Sequence, residues 1–205
     1  MWTMTKFTVP ATTLQRFITL YKSLEPTASE AFKVLKLEIS NSRMYLIGSN
    51  EYVACVEHLG ETEQPDDSCY VKINSTFIDS VEKEANVAAT YTFETLPELA
   101  MGSTSTSDGQ TFNDFIVWPD ESPLDKWRDW FVIADKKEGF MYCNLGQLVT
   151  LWECSPSGYV TFPKVINAVE PVIVRDVNNA DWLGAFIPAV DGKTVIKPAT
   201  LPEWL

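Results

Sequence analysis

The spacing of apolar residues repeats three times along the chain. Residues 6–9 read as a short extended piece that runs into Pro10, a residue tolerated in the first turn of a helix. Leu14, Phe17, Ile18 and Tyr21 then fall at i, i+3, i+4 and i+7, which predicts one face of a helix ending near Pro26. Three strand-like runs follow at residues 32–39, 44–47 and 52–59, separated by the turn signals Asn41-Ser42 and Gly48-Ser49-Asn50. The order is strand, helix, three strands.

A polar link at residues 60–68 carries Glu61, Glu63, Asp66 and Asp67, and then the order restarts. Residues 69–73 form a strand candidate, Asn74 or Ser75 is a good N-cap, and Phe77, Ile78 and Val81 trace a helical face reaching about Ala85. Residues 87–93, 96–101 and 112–118 supply three further strands, with 102–110 as a polar loop before the last. Residues 119–137 break the rhythm. Trp127, Trp130 and Phe131 crowd behind an acidic, proline-bracketed stretch, so this linker is expected to dock on the body through its rings.

The third repeat opens with a strand at 140–143 and a cap at Asn144. Leu145, Leu148, Val149 and Trp152 give the helical face, and 159–162, 171–177 and 182–187 the strands. Residues 178–181 have a turn composition. The expected organisation is a two-motif domain at 1–120, a linker at 121–138, a third motif at 139–190 and a tail at 191–205.

Composition narrows the class. With 45% apolar and 21% charged residues over 205 positions, the chain can bury a real core. No run approaches a membrane span, and the first residues lack a signal peptide's apolar centre, so a cytoplasmic protein is expected. Cys55, Cys69, Cys143 and Cys154 form no C-x-x-C pair and are expected to be reduced and mostly buried. The net charge of −12 argues against a simple nucleic-acid binder. It fits plain solubility, a ring more acidic outside than inside, or a mimic of the DNA phosphate surface.

Chemistry is missing from the sequence. His58 is the only histidine and reads as a strand-end residue. No nucleophile elbow, phosphate loop or zinc-protease motif occurs. Asp176, Asn178 and Asp181 lack the Gly and bidentate Glu of a calcium loop and read as a hairpin turn. No catalytic residue, metal site or cofactor is expected, and the chain is not read as an enzyme.

The third repeat makes the pattern specific. Residues 140–152, Phe-Met-Tyr-Cys-Asn-Leu-Gly-Gln-Leu-Val-Thr-Leu-Trp, resemble the strand-Asn-Leu-helix that opens the closing motif of bacterial DNA sliding clamps. Residues 170–176 and the apolar strand 182–188 ending in Pro188 are similar to that family's last strands. The resemblance implies an α+β fold of strand-helix-three-strand motifs, with curved antiparallel sheets and short helices on the inner face.

It also implies a processivity factor or accessory of DNA replication, a homo-oligomeric ring that encircles double-stranded DNA and tethers a polymerase or other replication protein. Twelve motifs close such a ring, so three per chain would call for four chains. The small size would suit a phage or other mobile-element protein. By the same resemblance Arg16, Lys22 and Lys83 would line the DNA-facing side, and reversing them to Glu would leave folding intact. Leu201, Trp204 and Leu205 in the tail are a candidate partner anchor, because clamp partners bind through similar short apolar-aromatic peptides. The alternative is an acidic binding or inhibitory protein that keeps the clamp fold without encircling DNA.

Overall fold

Strand β1 (Thr5–Pro10) alternates buried and exposed residues, with Phe7 and Val9 inward, and passes straight into helix α1 (Ala11–Lys22). The computed structural model describes residues 4–22, 29–50, 52–84, 89–96, 101–112, 115–119, 122–131, 145–161 and 171–186. After a 3-10 turn at Glu30–Phe32, β2 (Val34–Ser40), β3 (Arg43–Ser49) and β4 (Val53–Glu61) form an antiparallel meander. Asn41 and Ser42 take φ of 53° and 61°, the left-handed pair that matches a two-residue hairpin to the twist of its strands. At Gly48 on β3 an added Cβ would stand 2.9 Å from both Leu20 and Leu35, so its absence lets α1 lie close on the sheet.

The second unit has the same order. It contains β5 (Asp67–Lys72), α2 (Ser75–Glu84), β6 (Thr90–Leu96), β7 (Met101–Thr106), β8 (Thr111–Phe112) and β9 (Ile116–Val117). Asn74 caps α2, its Oδ1 accepting from Phe77 N at 2.9 Å.

Two sequence readings of this unit need correction. The polar loop expected at 102–110 is mostly strand β7, whose inward positions are threonines: Thr104 and Thr106 are buried opposite Phe93 and Tyr91. A run of Ser and Thr has strand propensity without apolar alternation, which hides it. The single strand expected at 112–118 is divided, since β8 pairs with β7 in one sheet and β9 pairs with β5 in the other.

The third unit contributes α3 (Leu145–Cys154), β10 (Val160–Thr161), β11 (Val172–Asp176) and β12 (Trp182–Phe186). The strand and cap expected at 140–144 lie outside the described residues, as does the tail. The stripe expected over Leu145, Leu148, Val149 and Trp152 is only in part the inward face of α3: Leu148 packs against the core, and the Leu145 side chain lies outside the described residues. Thr150, Leu151 and Cys154 are buried, whereas Val149 and Trp152 are 43% and 55% exposed.

Among the described residues the strands form two antiparallel sheets, a four-stranded one ordered β1-β6-β7-β8 and an eight-stranded one ordered β10-β11-β12-β4-β3-β2-β5-β9. The first two units exchange their first strands. β1 pairs with β6 of the second unit, and β5 pairs with β2 of the first. Strand β12 joins β4, which carries the first unit's sheet on into the third.

One core of side chains from both sheets and all three of these α-helices fills the helix side. A smaller cluster of Val34, Ile47, Val56 and Tyr70 occupies the opposite face of the large sheet, under Leu124 and Trp127. Those two belong to the connector, a kinked 3-10 segment at Pro123–Phe131.

Candidate functional site

Helix α1 is flanked by α2 and α3, so the helices gather on one side of the sheets. The cations expected to face DNA sit here, but two of them are engaged. Arg16 Nη2 bonds both carboxylate oxygens of Glu57, at 2.8 and 2.7 Å, and reaches Thr13 Oγ1 at 3.1 Å. Glu57 is buried on β4, so this pair is part of the helix-to-sheet packing. Reversing Arg16 is therefore not a neutral surface change.

Lys22 closes the seam between α1 and α2 through an ion pair with Glu82. Lys83 is exposed in the last turn of α2. Thus Lys22 and Lys83 are brought to the same side by adjoining helices, while Arg16 points into a carboxylate. Leu201, Trp204 and Leu205 lie outside the described residues.

The other face of the large sheet holds a groove that the sequence did not reveal. A cavity of about 360 Å³ is lined by Arg43, Tyr45, His58, Trp127, Asp181 and Leu183, among others. It draws on β3 and β4, the connector, and the turn before β12. His58 lies inside β4 and is not the strand-end residue expected. Its Nδ1 is 3.0 Å from Asp181 Oδ1 and its backbone N–H bonds Asp181 O at 2.8 Å, which fixes the third unit's turn against the first unit. The register Tyr45↔His58 was the available signal, because the turn between β3 and β4 puts those positions opposite each other.

The connector is held over this face by charge as well as by rings. Lys36 and Glu38 are buried on β2, 3.1 Å apart. Lys36 Nζ bonds Asp125 at 2.8 Å, Arg128 bonds Glu38 at 2.6 Å, and Trp127 Nε1 donates to Glu38 at 3.2 Å. Tyr70 also donates to Asp125. Arg128 stacks 4.2 Å from the Trp127 ring centre, and Tyr45 lies 5.5 Å from the same indole. Burial works to raise the Glu38 carboxyl, but the bonds from Arg128, Lys36 and Trp127 outweigh it and hold it below its usual range. Burial and the neighbouring Asp125 push the Tyr70 phenol up, so it stays a donor.

Asp176 closes the third unit. Its carboxylate accepts from Ser155, from Ser157 at both N and Oγ, and from the backbone N–H groups of Asn178 and Asn179. Burial opposes the charge, yet these donors bring it down to about 2. The carboxylate thus acts as a turn anchor. Cys55, Cys69 and Cys154 are free and buried, as expected, and burial raises the Cys55 and Cys69 thiols; Cys143 lies outside the described residues.

No family model and no curated protein matches the chain. Solved structures do. A putative DNA polymerase III beta subunit from Eubacterium rectale superposes with a TM-score of 0.64 at 8% identity, over 92% of this chain and 66% of that one. The beta clamp of Helicobacter pylori gives 0.63 at 8% identity over 92% and 66%. The DNA polymerase sliding clamp of Pseudomonas aeruginosa gives 0.62 at 11% identity over 90% and 65%. The chain therefore spans just under two thirds of the length of the clamps it matches. At these identities the superpositions over nine tenths of the chain show the fold, and the chain has the fold of the bacterial DNA sliding clamps.

Proposed function

We propose that the chain is a non-catalytic, clamp-type accessory of DNA replication that assembles with further copies around duplex DNA and tethers a polymerase or another replication protein. The observation that carries this reading is the clamp architecture over nine tenths of the chain, with the helices on one side and a groove on the other. A ring holds DNA by topology, so a few cations, the exposed Lys83 among them, suffice and sliding stays easy. The groove of Tyr45, His58, Trp127 and Leu183, lined by rings at the seam between units, has the makings of a partner site.

The test is retention on DNA. Protein assembled with a nicked circular plasmid should stay with it through gel filtration and be released when the circle is cut, with little change in moderate salt. Equal retention on linear and circular DNA, or none on either, overturns the proposal.

One observation favours a second reading, an acidic binding protein that does not encircle DNA. Arg16 and Lys22 both bond carboxylates, and the net charge is −12. On that reading the chain would bind a basic DNA-binding protein, and duplex DNA would compete with it.

A further inference from the structure

Two of the buried thiols meet at the seam between the first and third units. Cys55 sits in β4 with Gly48 of β3 opposite on one side and Gly184 of β12 opposite on the other. Both glycines let a helix down onto the sheet. A Cβ at Gly48 would stand 2.9 Å from Leu20 and 3.1 Å from Phe17 of α1, and a Cβ at Gly184 would stand 2.5 Å from Leu151 of α3. Helix α1 therefore lies over one flank of Cys55 and α3 over the other. Cys154 follows Leu151 by three residues, on the same face of α3. Its Sγ lies 3.3 Å from Arg16 O and 2.9 Å from Thr19 Oγ1, in the angle between the two helices. That angle opens onto Cys55, and the two thiols are hydrogen-bonded to each other.

Both sulfurs are buried, so their reaction waits on a movement of α3. That helix is lightly held. Thr150, Leu151 and Cys154 are its buried residues among those described, against seven on α1. Few buried contacts make local opening easier than global unfolding. Strand β4, by contrast, lies inside the large sheet between β3 and β12. Cys154 is therefore the thiol that a small oxidant reaches first, and Cys55 the one that waits for it. Burial also pushes the Cys55 thiol up, so it reacts slowly and only with a sulfur already activated.

We infer that Cys55 and Cys154 are a redox-responsive pair that a peroxide closes to a disulfide, pinning α3, and with it the third unit, to the first unit's sheet. In the first step the Cys154 sulfur attacks hydrogen peroxide; the O–O bond breaks, a sulfenic acid forms and one water leaves with the thiol proton. In the second the Cys55 sulfur attacks that sulfenic sulfur; the S–S bond forms, the S–O bond breaks and a second water leaves with the Cys55 proton. Two thiols are oxidised by two electrons, and one peroxide is reduced to two waters. The link closes the long loop between residues 55 and 154, so it acts chiefly by restricting the unfolded chain.

The test treats the reduced full chain with hydrogen peroxide in native buffer. Labelled afterwards in urea with a maleimide, it is expected to take up two fewer labels than the untreated chain, and proteolysis should release one peptide pair joined through Cys55 and Cys154. The melting temperature should rise by about 5 °C or more and fall back on treatment with dithiothreitol. Amide exchange over residues 145–154 should slow by about tenfold or more while that of β6 and β7 holds. Cys154→Ser should abolish the link, with Cys55→Ala as the second variant should it misfold, and Cys69→Ala should leave the link in place. Thiols that stay reduced, or that pass to sulfinic acid without a link, overturn the inference. So does a link through Cys69 or Cys143, a Cys55–Cys154 link that forms only in urea, or a melting temperature that falls on oxidation.

Discussion

Arg16 Nη2 lies 2.8 and 2.7 Å from the two carboxylate oxygens of Glu57, so one guanidinium ties helix α1 to the strand that joins the third unit. Glu57 is buried, and removing its partner leaves a charge in a poorly solvated site. Arg16→Ala is expected to destabilise the fold by about 2–4 kcal/mol. Arg16→Glu should be worse, and Glu57→Gln with Arg16→Met should recover much of the loss. Urea titrations of the set measure this; a neutral Arg16→Ala would show the pair to be a surface contact.

Lys83 separates DNA tracking from stability. It is exposed at the end of α2, so Lys83→Glu should leave the unfolding midpoint within about 0.5 kcal/mol of wild type. If the helical side faces duplex, the same change should shorten retention on a nicked circle. Unaltered retention would remove Lys83 from the DNA-facing set.

Acid should loosen the connector. The Glu38 and Asp125 carboxyls are held below their ordinary range, so their stabilisation is present above the unfolded carboxylate range and fades as pH falls through the folded values. Amide exchange in residues 123–131 is therefore expected to rise below about pH 4 before the core strands open. Glu38→Gln should bring on the same opening at neutral pH, because Lys36 and Arg128 lose their shared carboxylate. Exchange that rises only with global unfolding would contradict this.

The Asp176 anchor has its own pH window. With the folded carboxyl near 2 against an unfolded value near 4, it contributes about 2 kcal/mol at neutral pH, lost progressively as pH falls from about 4 to about 2. Asp176→Ala should remove this and free the donors of Ser155, Ser157, Asn178 and Asn179, lowering the melting temperature by several degrees. The variant's melting temperature should converge on wild type at the lowest pH.

The tail offers a separate test of the proposed partner anchor. Deleting residues 198–205 takes away Leu201, Trp204 and Leu205. Intact folding with lost assembly or partner binding supports an anchor, and lost stability with unchanged assembly supports packing on the chain's own body. No change in either removes both.

The sequence by itself determined what depends on near neighbours. The helices of the first two units, the Asn41-Ser42 hairpin, the Asn74 cap and the turn before β12 follow from spacing and turn chemistry within a few residues. The repeating order of elements was visible in that way, and its resemblance to the sliding clamps pointed to the fold. What depends on distant partners was not. Strand β7 is a strand because Thr104 and Thr106 meet Phe93 and Tyr91, and a polar run carries no apolar mark of that pairing. Val149 and Trp152 looked like part of the inner face of α3, but α1 and β12 select the side that bears Leu151 and Cys154, because Gly184 leaves room there. Arg16 and Lys22 read as free cations until the fold set Glu57 and Glu82 beside them. A charge acts over the distance to its nearest counter-charge, and that distance is decided only when the chain closes.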